Sequence, residues 1–266
     1  MFQPVIKWTG SKRSQANKLV EFFPKFSTYY EPFIGGGSVL YALKPEKAVC
    51  GDLCKPLIDL WKLIQKNPER LIKQYTKDWN KLQNEGYHIY YDIRDRFNKH
   101  ENPEDLFFLS RTCVNGLIRF NKAGAFNNSL HHTRRGINPD RVKNIIFDWS
   151  KNIQNVKFVH GDYRETIKNA NSDDFIYLDP PYHNTNGRYF GNIDIKGLLE
   201  TLKKLNENKT KFVLSYDGIR ENKYYIKDLP KELYKRHLFL ESGNSPFKKT
   251  MSKKTEKVLE SVYMNW

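Results

Sequence analysis

The chemistry in this chain concentrates at Asp179-Pro180-Pro181-Tyr182, where an apolar run, Phe175-Ile176-Tyr177-Leu178, stops abruptly. Two successive prolines cannot donate to a sheet ladder and hold the backbone extended, so Asp179 and Tyr182 stand in a stiff turn at a strand's carboxyl end. A carboxylate, a proline carbonyl and an aromatic ring at fixed spacing are the parts needed to grip a flat ring bearing an amino group. In an open α/β sheet, that edge is where ligands bind. Taken alone, the four residues also read as a proline-rich turn closed by a tyrosine.

Three other stretches carry ligand-binding chemistry. Val5-Ile6-Lys7-Trp8-Thr9-Gly10-Ser11-Lys12-Arg13 packs an aromatic, a glycine and three basic residues ahead of a helix expected over residues 16–23. Cations at a helix entrance oppose its dipole, so this loop reads as one that closes over an anionic or zwitterionic ligand. Ile34-Gly35-Gly36-Gly37-Ser38 joins a strand over residues 28–33 to a short helix over 39–43. Its glycines admit close backbone approach, although they match neither the dinucleotide fingerprint nor a Walker loop. Asp52 follows a strand over residues 47–50 and reads either as an acceptor for ribose hydroxyls or as the N-cap of the helix beginning near Pro56. Asp162 follows another strand, residues 156–159.

Between these stretches lies a candidate reader of nucleic acid. Asn121-Lys122-Ala123-Gly124 separates two alternating arms and reads as a hairpin turn. Asn115, Arg119 and Asn121 cluster there, and asparagine and arginine match adenine and guanine edges in the major groove. His131, His132, Arg134 and Arg135 follow. A solvated polar loop is the plainer reading of the same residues.

To position these groups the chain needs strands whose carboxyl ends share one edge. Strand, glycine turn and helix at residues 28–43 start a doubly wound α/β fold. The sheet resumes at residues 156–159, 175–178 and 212–216, with helices expected at 164–169 and 195–205 and two further strands at 237–240 and 258–263. From Pro56 to Trp149 the texture changes to amphipathic, aromatic-rich helices, read as an inserted domain over residues 56–149 between catalytic parts 1–55 and 150–266. His183 to Asn192 form a polar, glycine-bearing loop suited to a lid, and residues 248–257 a basic loop.

Composition narrows the partners. The 45 basic against 30 acidic residues leave a net charge of +15, favouring a polyanion. The charge is spread over loops rather than along one amphipathic helix, which argues against a membrane surface. No run approaches the roughly 18 apolar residues of a membrane span. The amino-terminal residues lack an apolar leader, so a cytoplasmic protein is expected. Three cysteines, Cys50, Cys54 and Cys113, make no disulfide framework and no metal set.

Lys7-Trp8-Thr9-Gly10-Ser11-Lys12, Phe33-Ile34-Gly35-Gly36-Gly37-Ser38, Gly51-Asp52 and Asp179-Pro180-Pro181-Tyr182, in this order, resemble the Dam-type (D12 class) DNA adenine-N6 methyltransferases. Residues 111–127 look like that family's target-recognition segment. The resemblance implies a Rossmann-like methyltransferase sheet with an inserted helical recognition domain, S-adenosyl-L-methionine as cofactor and double-stranded DNA as substrate. It implies that Trp8, Lys12, Phe33, Gly35, Gly36, Asp52, Asp162, Tyr163 and Asp179 border the cofactor. Asp179, Pro180 and Tyr182 then hold a flipped-out adenine, and Lys7, Asn115, Arg119, Asn121, Arg134 and Arg135 meet DNA. After Phe126 the sequence Asn127-Asn128-Ser129-Leu130-His131-His132 departs from the pattern of GATC enzymes. A cognate restriction endonuclease acting on the same site is a further expected partner. RNA adenine methylation and a catalytically silent DNA-binding protein are the alternatives.

Overall fold

The computed structural model describes residues 2–121, 123–131, 133–181, 194–220, 223–224, 229–242 and 258–266. Tyr182, His132, the expected lid at 183–192 and the basic loop at 248–257 lie outside them.

Strands buried on both faces form the middle of the sheet. β1 (Tyr29–Glu31), β2 (Ala48–Asp52), β3 (Val156–His160), β4 (Phe175–Leu178) and β5 (Lys211–Arg220) run parallel, while β8 (Val258–Met264) lies antiparallel between β5 and β7 (Arg236–Ser242). The order is β3-β2-β1-β4-β5-β8-β7, with β6 (Lys223–Tyr224) paired to the end of β5. All four residues of β4 are fully buried, as a central parallel strand covered on both faces requires. Successive residues feed opposite cores. Tyr29, Phe175, Tyr177 and Val213 join one cluster, whereas Tyr30, Ile176, Leu178 and Leu214 join the other.

The chain order reverses between β1 and β4, so their carboxyl ends open a crevice at the switch point. Around it stand α1 (Ala16–Val20), α2 (Ser38–Leu43), α3 (Lys55–Lys66), α8 (Tyr163–Ile167) and α9 (Ile195–Glu207). The first of these is shorter than the helix expected over 16–23, since Pro24 disfavours the helical conformation at Phe23. α8 begins before the expected Arg164 because the Asp162 carboxylate caps it, accepting from Arg164 N at 3.0 Å. β5 runs well past the expected Tyr216, through a register shift between Ser215 and Gly218.

α4 (Pro68–Glu85), α5 (His88–His100), α6 (Pro103–Thr112) and α7 (Pro139–Asn152) follow α3. One apolar cluster runs from the sheet through Trp61 of α3 into Tyr75, Phe107 and Trp149 of these helices. The buried Asp105 and Asp78 are both bonded by Arg96, so α4, α5 and α6 are pinned by one guanidinium.

Candidate active site

Asp179 follows β4 directly, with Pro180 buried beside it. Its Oδ1 lies 2.7 Å from Lys12 Nζ, and the same ammonium lies 2.6 Å from Glu260 Oε1 on β8. Lys12 is only 7% exposed, which burial alone would make costly for a cation. The two carboxylates override that penalty and raise its pKa well above the usual lysine range. Burial pushes Asp179 up to about 6, with Lys12 opposing the rise and Glu260 adding to it. At neutral pH Asp179 is therefore an anion, able to accept but not donate hydrogen bonds.

Across the switch point, Glu31 at the end of β1 is buried and accepts from Tyr29 Oη at 2.9 Å. Burial raises its pKa to about 8 against the pull of the Tyr29 hydrogen bond, with Asp179 a further upward influence.

The glycine turn is built for close approach. Gly35 has φ +46°, and a Cβ there would come within 2.7 Å of Trp8 Cδ1. Gly37 has φ +65° and caps α2, where a Cβ would meet the Trp61 ring at 2.9 Å. Trp61 Nε1 donates to Gly35 O at 3.1 Å, and Ser11 Oγ and Ser38 Oγ are 2.7 Å apart, so the turn is tied to both α3 and the amino-terminal loop. Asp52 does not cap α3, whose cap position is Cys54. Its Oδ2 accepts from Gly35 N at 3.2 Å and its Oδ1 from Cys54 N at 3.0 Å. With Leu53 also donating from its backbone, the carboxylate keeps acceptor capacity for one further ligand hydroxyl. Burial raises the Asp52 pKa to about 6 although these backbone donors lower it.

Phe33 and Tyr163 stack at 5.4 Å between ring centroids. Asp162 sits beside them, held below the usual carboxylate range by the Arg164 guanidinium, whose Nε and Nη2 reach it at 2.6 and 3.1 Å. Trp8, Lys12, Phe33, Gly35, Gly36, Asp52, Asp162, Tyr163, Asp179 and Pro180 all line one cavity of about 280 Å³. Glycine-turn backbone, buried carboxylates and an aromatic pair suit a ligand that carries hydroxyl groups, a flat ring and a cationic group.

Of the expected DNA-reading residues, Lys7, Asn115, Arg119 and Asn121 gather where α6 leads into the hairpin. Arg111, in the stretch likened to a recognition segment, is buried and donates to the Pro4 and Val5 carbonyls, the latter at 2.6 Å, fixing the entry to Lys7. Lys7 packs its stem on Gly116, where a Cβ would come within 2.4 Å of Lys7 Cδ. Burial and the neighbouring Arg111 lower its pKa. Asn115 and Gly116 are both left-handed, at φ +57° and +63°, which turns the exposed Asn115 outward. Arg119 is exposed, with Nε donating to Asn127 Oδ1 at 2.8 Å. Asn121 Oδ1 closes the hairpin turn, accepting from Ala123 N and Ala125 N at 2.9 and 3.0 Å. Its carboxamide thus has a turn-holding task that composition did not reveal. Arg134 and Arg135 are exposed beyond the hairpin.

Sequence reasoning passed over Glu31, Glu260 and Thr9. An acid closing the aromatic strand Tyr29-Tyr30-Glu31, and another at an inward position of Leu259-Glu260-Ser261-Val262, were the available signals.

A family model described as D12 class N6 adenine-specific DNA methyltransferase matches residues 8–251. The chain is 33% identical over 192 residues to the type II methyltransferase M1.LlaDCHI of Lactococcus lactis subsp. cremoris, covering 68% of this chain and 66% of that protein. It is 30% identical over 245 residues to the type II methyltransferase M.MjaIII of Methanocaldococcus jannaschii, covering 80% of this chain and 83% of that one. To a DNA adenine methylase of Vibrio cholerae it is 32% identical over 181 residues, with 66% of this chain and 64% of the relative covered.

Proposed function

Because the chain belongs to the D12 class N6 adenine-specific DNA methyltransferase family, we propose that it transfers a methyl group from S-adenosyl-L-methionine to the N6 amino group of an adenine flipped out of duplex DNA. The observation that carries this reading is the position of Asp179 and the Pro180 backbone at the switch point of the sheet, in one cavity with the glycine turn and Asp52.

The cofactor supplies an electrophilic methyl on a cationic sulfur. Lys12 and the glycine-turn backbone hold its amino-acid end, Asp52 its ribose, and Phe33 with Asp162 and Tyr163 its adenine. The substrate's amino nitrogen is a poor nucleophile because its lone pair is delocalised into the ring. Within a duplex it is also paired and must be turned outward. Asp179 and the Pro180 carbonyl accept hydrogen bonds from its two N–H groups, localise the lone pair and aim it along the line of transfer, and the Asp179 carboxylate is placed to take the proton that the nitrogen sheds on methylation. Tyr182, outside the described residues, is assigned to stack on the base. No covalent enzyme intermediate is required, and the buried thiols of Cys50, Cys54 and Cys113 take no part.

Residues 56–149 are assigned to reading the duplex, with Lys7, Asn115, Arg119, Asn121, Arg134 and Arg135 at base edges or phosphates. A cytoplasmic setting is proposed from the three unpaired cysteines and the microbial relatives. A restriction endonuclease sharing the target site is proposed from the type II names of two relatives. Tritiated methyl transfer to duplex DNA, single-stranded DNA and RNA tests the reading. Label in N6-methyladenine of duplex DNA supports it, whereas label in RNA alone, or in none, overturns it.

A further inference from the structure

Lys12 connects two carboxylates that the sequence keeps far apart. It reaches Asp179 beyond β4 on the cavity side, and Glu260 on β8 from behind, at 2.7 and 2.6 Å. Asp179 and Lys12 line the cavity, whereas Glu260 is not part of its wall and lies beyond the residues matched by the family model. A buried ion pair of Lys12 and Asp179 alone would present almost no net charge to a ligand, since the ammonium would cancel the carboxylate.

We infer that Glu260 is a positioning residue that sets the charge of the cofactor cavity, drawing the Lys12 ammonium back so that Asp179 still presents a negative field to a cationic sulfur ligand. The inference rests on the methyl-donor reading above. Its geometry is that of a cation shared between two acids, each within ion-pairing distance and each largely withdrawn from water. Asp52, Asp162 and Asp194 line the same cavity and supply a negative background that a change at Glu260 leaves in place, and the groups that interact directly with Asp179 do not substitute for Glu260. Glu31 faces Asp179 from β1, but burial raises its pKa to about 8, leaving it mostly uncharged at neutral pH. Tyr177 from β4 interacts with Asp179, Lys12 and Glu260, and burial raises its pKa well above the tyrosine range, so it too is neutral. Tyr29, bonded to Glu31, is likewise neutral, its pKa raised above all by burial. The effect of each charge is differential. Removing one unit of negative charge at Glu260 weakens the field at the cavity whatever other contacts that side chain makes.

The test compares two ligands that differ by one charge, S-adenosylmethionine with its sulfonium and S-adenosylhomocysteine with a neutral thioether, by calorimetry on the full chain. Glu260→Gln is expected to lower the preference for the charged ligand by roughly tenfold, as one charge at an effective dielectric near 20 allows. Glu260→Asp should largely keep it, and the Lys12→Met, Glu260→Gln pair, read at a pH high enough to ionise Asp179 without its ammonium, should return it to the wild-type value. An equal loss of both ligands in Glu260→Gln, with the preference unchanged, would make Glu260 a structural partner only and overturn the inference. Should Glu260→Gln not fold, the Lys12→Met, Glu260→Gln pair carries the test, because it removes both buried charges together. A preference in the pair that stays below the wild-type value also overturns it. Binding of neither ligand by the wild-type protein would instead remove the methyl-donor reading itself.

Discussion

Thr9 and Ile118, 109 residues apart, are joined by a hydrogen bond in which Thr9 Oγ1 donates to the Ile118 carbonyl at 3.2 Å. The loop holding Thr9 also packs Lys7 on Gly116, sets Trp8 against Gly35, pairs Ser11 with Ser38 and delivers Lys12 to Asp179. Hairpin, glycine turn and proposed catalytic carboxylate are thus linked through one short segment. The link predicts that duplex and S-adenosylhomocysteine binding enhance each other, and Thr9→Val should reduce that coupling by about 1 kcal/mol, the net worth of one hydrogen bond. Titration of duplex with and without the nucleoside ligand measures this coupling. Coupling equal to that of the wild type would show that the loop transmits nothing through Thr9.

Asp179 must be ionised to accept amino hydrogens, and burial holds its pKa at about 6. Single-turnover methyl transfer should therefore rise with pH through a limb near 6 rather than near the ordinary aspartate value of about 4. Asp179→Ala should abolish turnover while both ligands still bind. A limb near 4 in the wild type would assign the titration to another group.

Glu31 has a folded-state pKa of about 8, raised by burial from an ordinary carboxylate value. A raised pKa means that the folded state holds the proton more tightly, so this contribution to stability is present in full below the unfolded pKa and is lost as pH rises through about 8. Glu31→Gln keeps an oxygen for the Tyr29 hydroxyl and never ionises. Urea denaturation should show the variant matching or trailing the wild type at pH near 5 and gaining on it as pH approaches roughly 8. Parallel stability profiles would contradict this account of Glu31.

Gly37 combines φ +65° with a Cβ position 2.9 Å from the Trp61 ring. Gly37→Ala should cost about 1–2 kcal/mol for the left-handed backbone alone, with a further loss from displacing a core tryptophan. A thermal melt would register it as a lowered Tm, and a variant as stable as the wild type would mean that the turn relaxes freely.

Lys7 and Arg119 flank the hairpin, and their replacement by alanine should relax sequence choice, each by about 1–3 kcal/mol of discrimination. Methylation of a randomised duplex library reads this directly. Duplex affinity should also fall steeply with salt, at roughly 0.9 of a log-log unit per phosphate contacted. Unchanged methylation sites in both variants would remove the two residues from base reading.

Local rules made much of this molecule legible. Prolines ending an apolar run put Asp179 at a strand's carboxyl end, glycines between strand and helix marked the turn, and short apolar runs marked the buried parallel strands, because each depends on constraints within a few residues. Element ends were less legible. α1 stops early before Pro24, α8 starts one residue early at the Asp162 cap and ends two early at Ile167, and β5 extends through partners at the far end of the chain. The tertiary structure alone decided what surrounds each charge. Strand order brings Glu31 beside Asp179, and antiparallel insertion of β8 brings Glu260 to the back of Lys12. Asn121 looked free to read a base, yet its carboxamide oxygen closes its own turn. Burial and ion pairing are properties of a folded volume, set by contacts between distant segments, so residue spacing names the groups but not their charge states or partners.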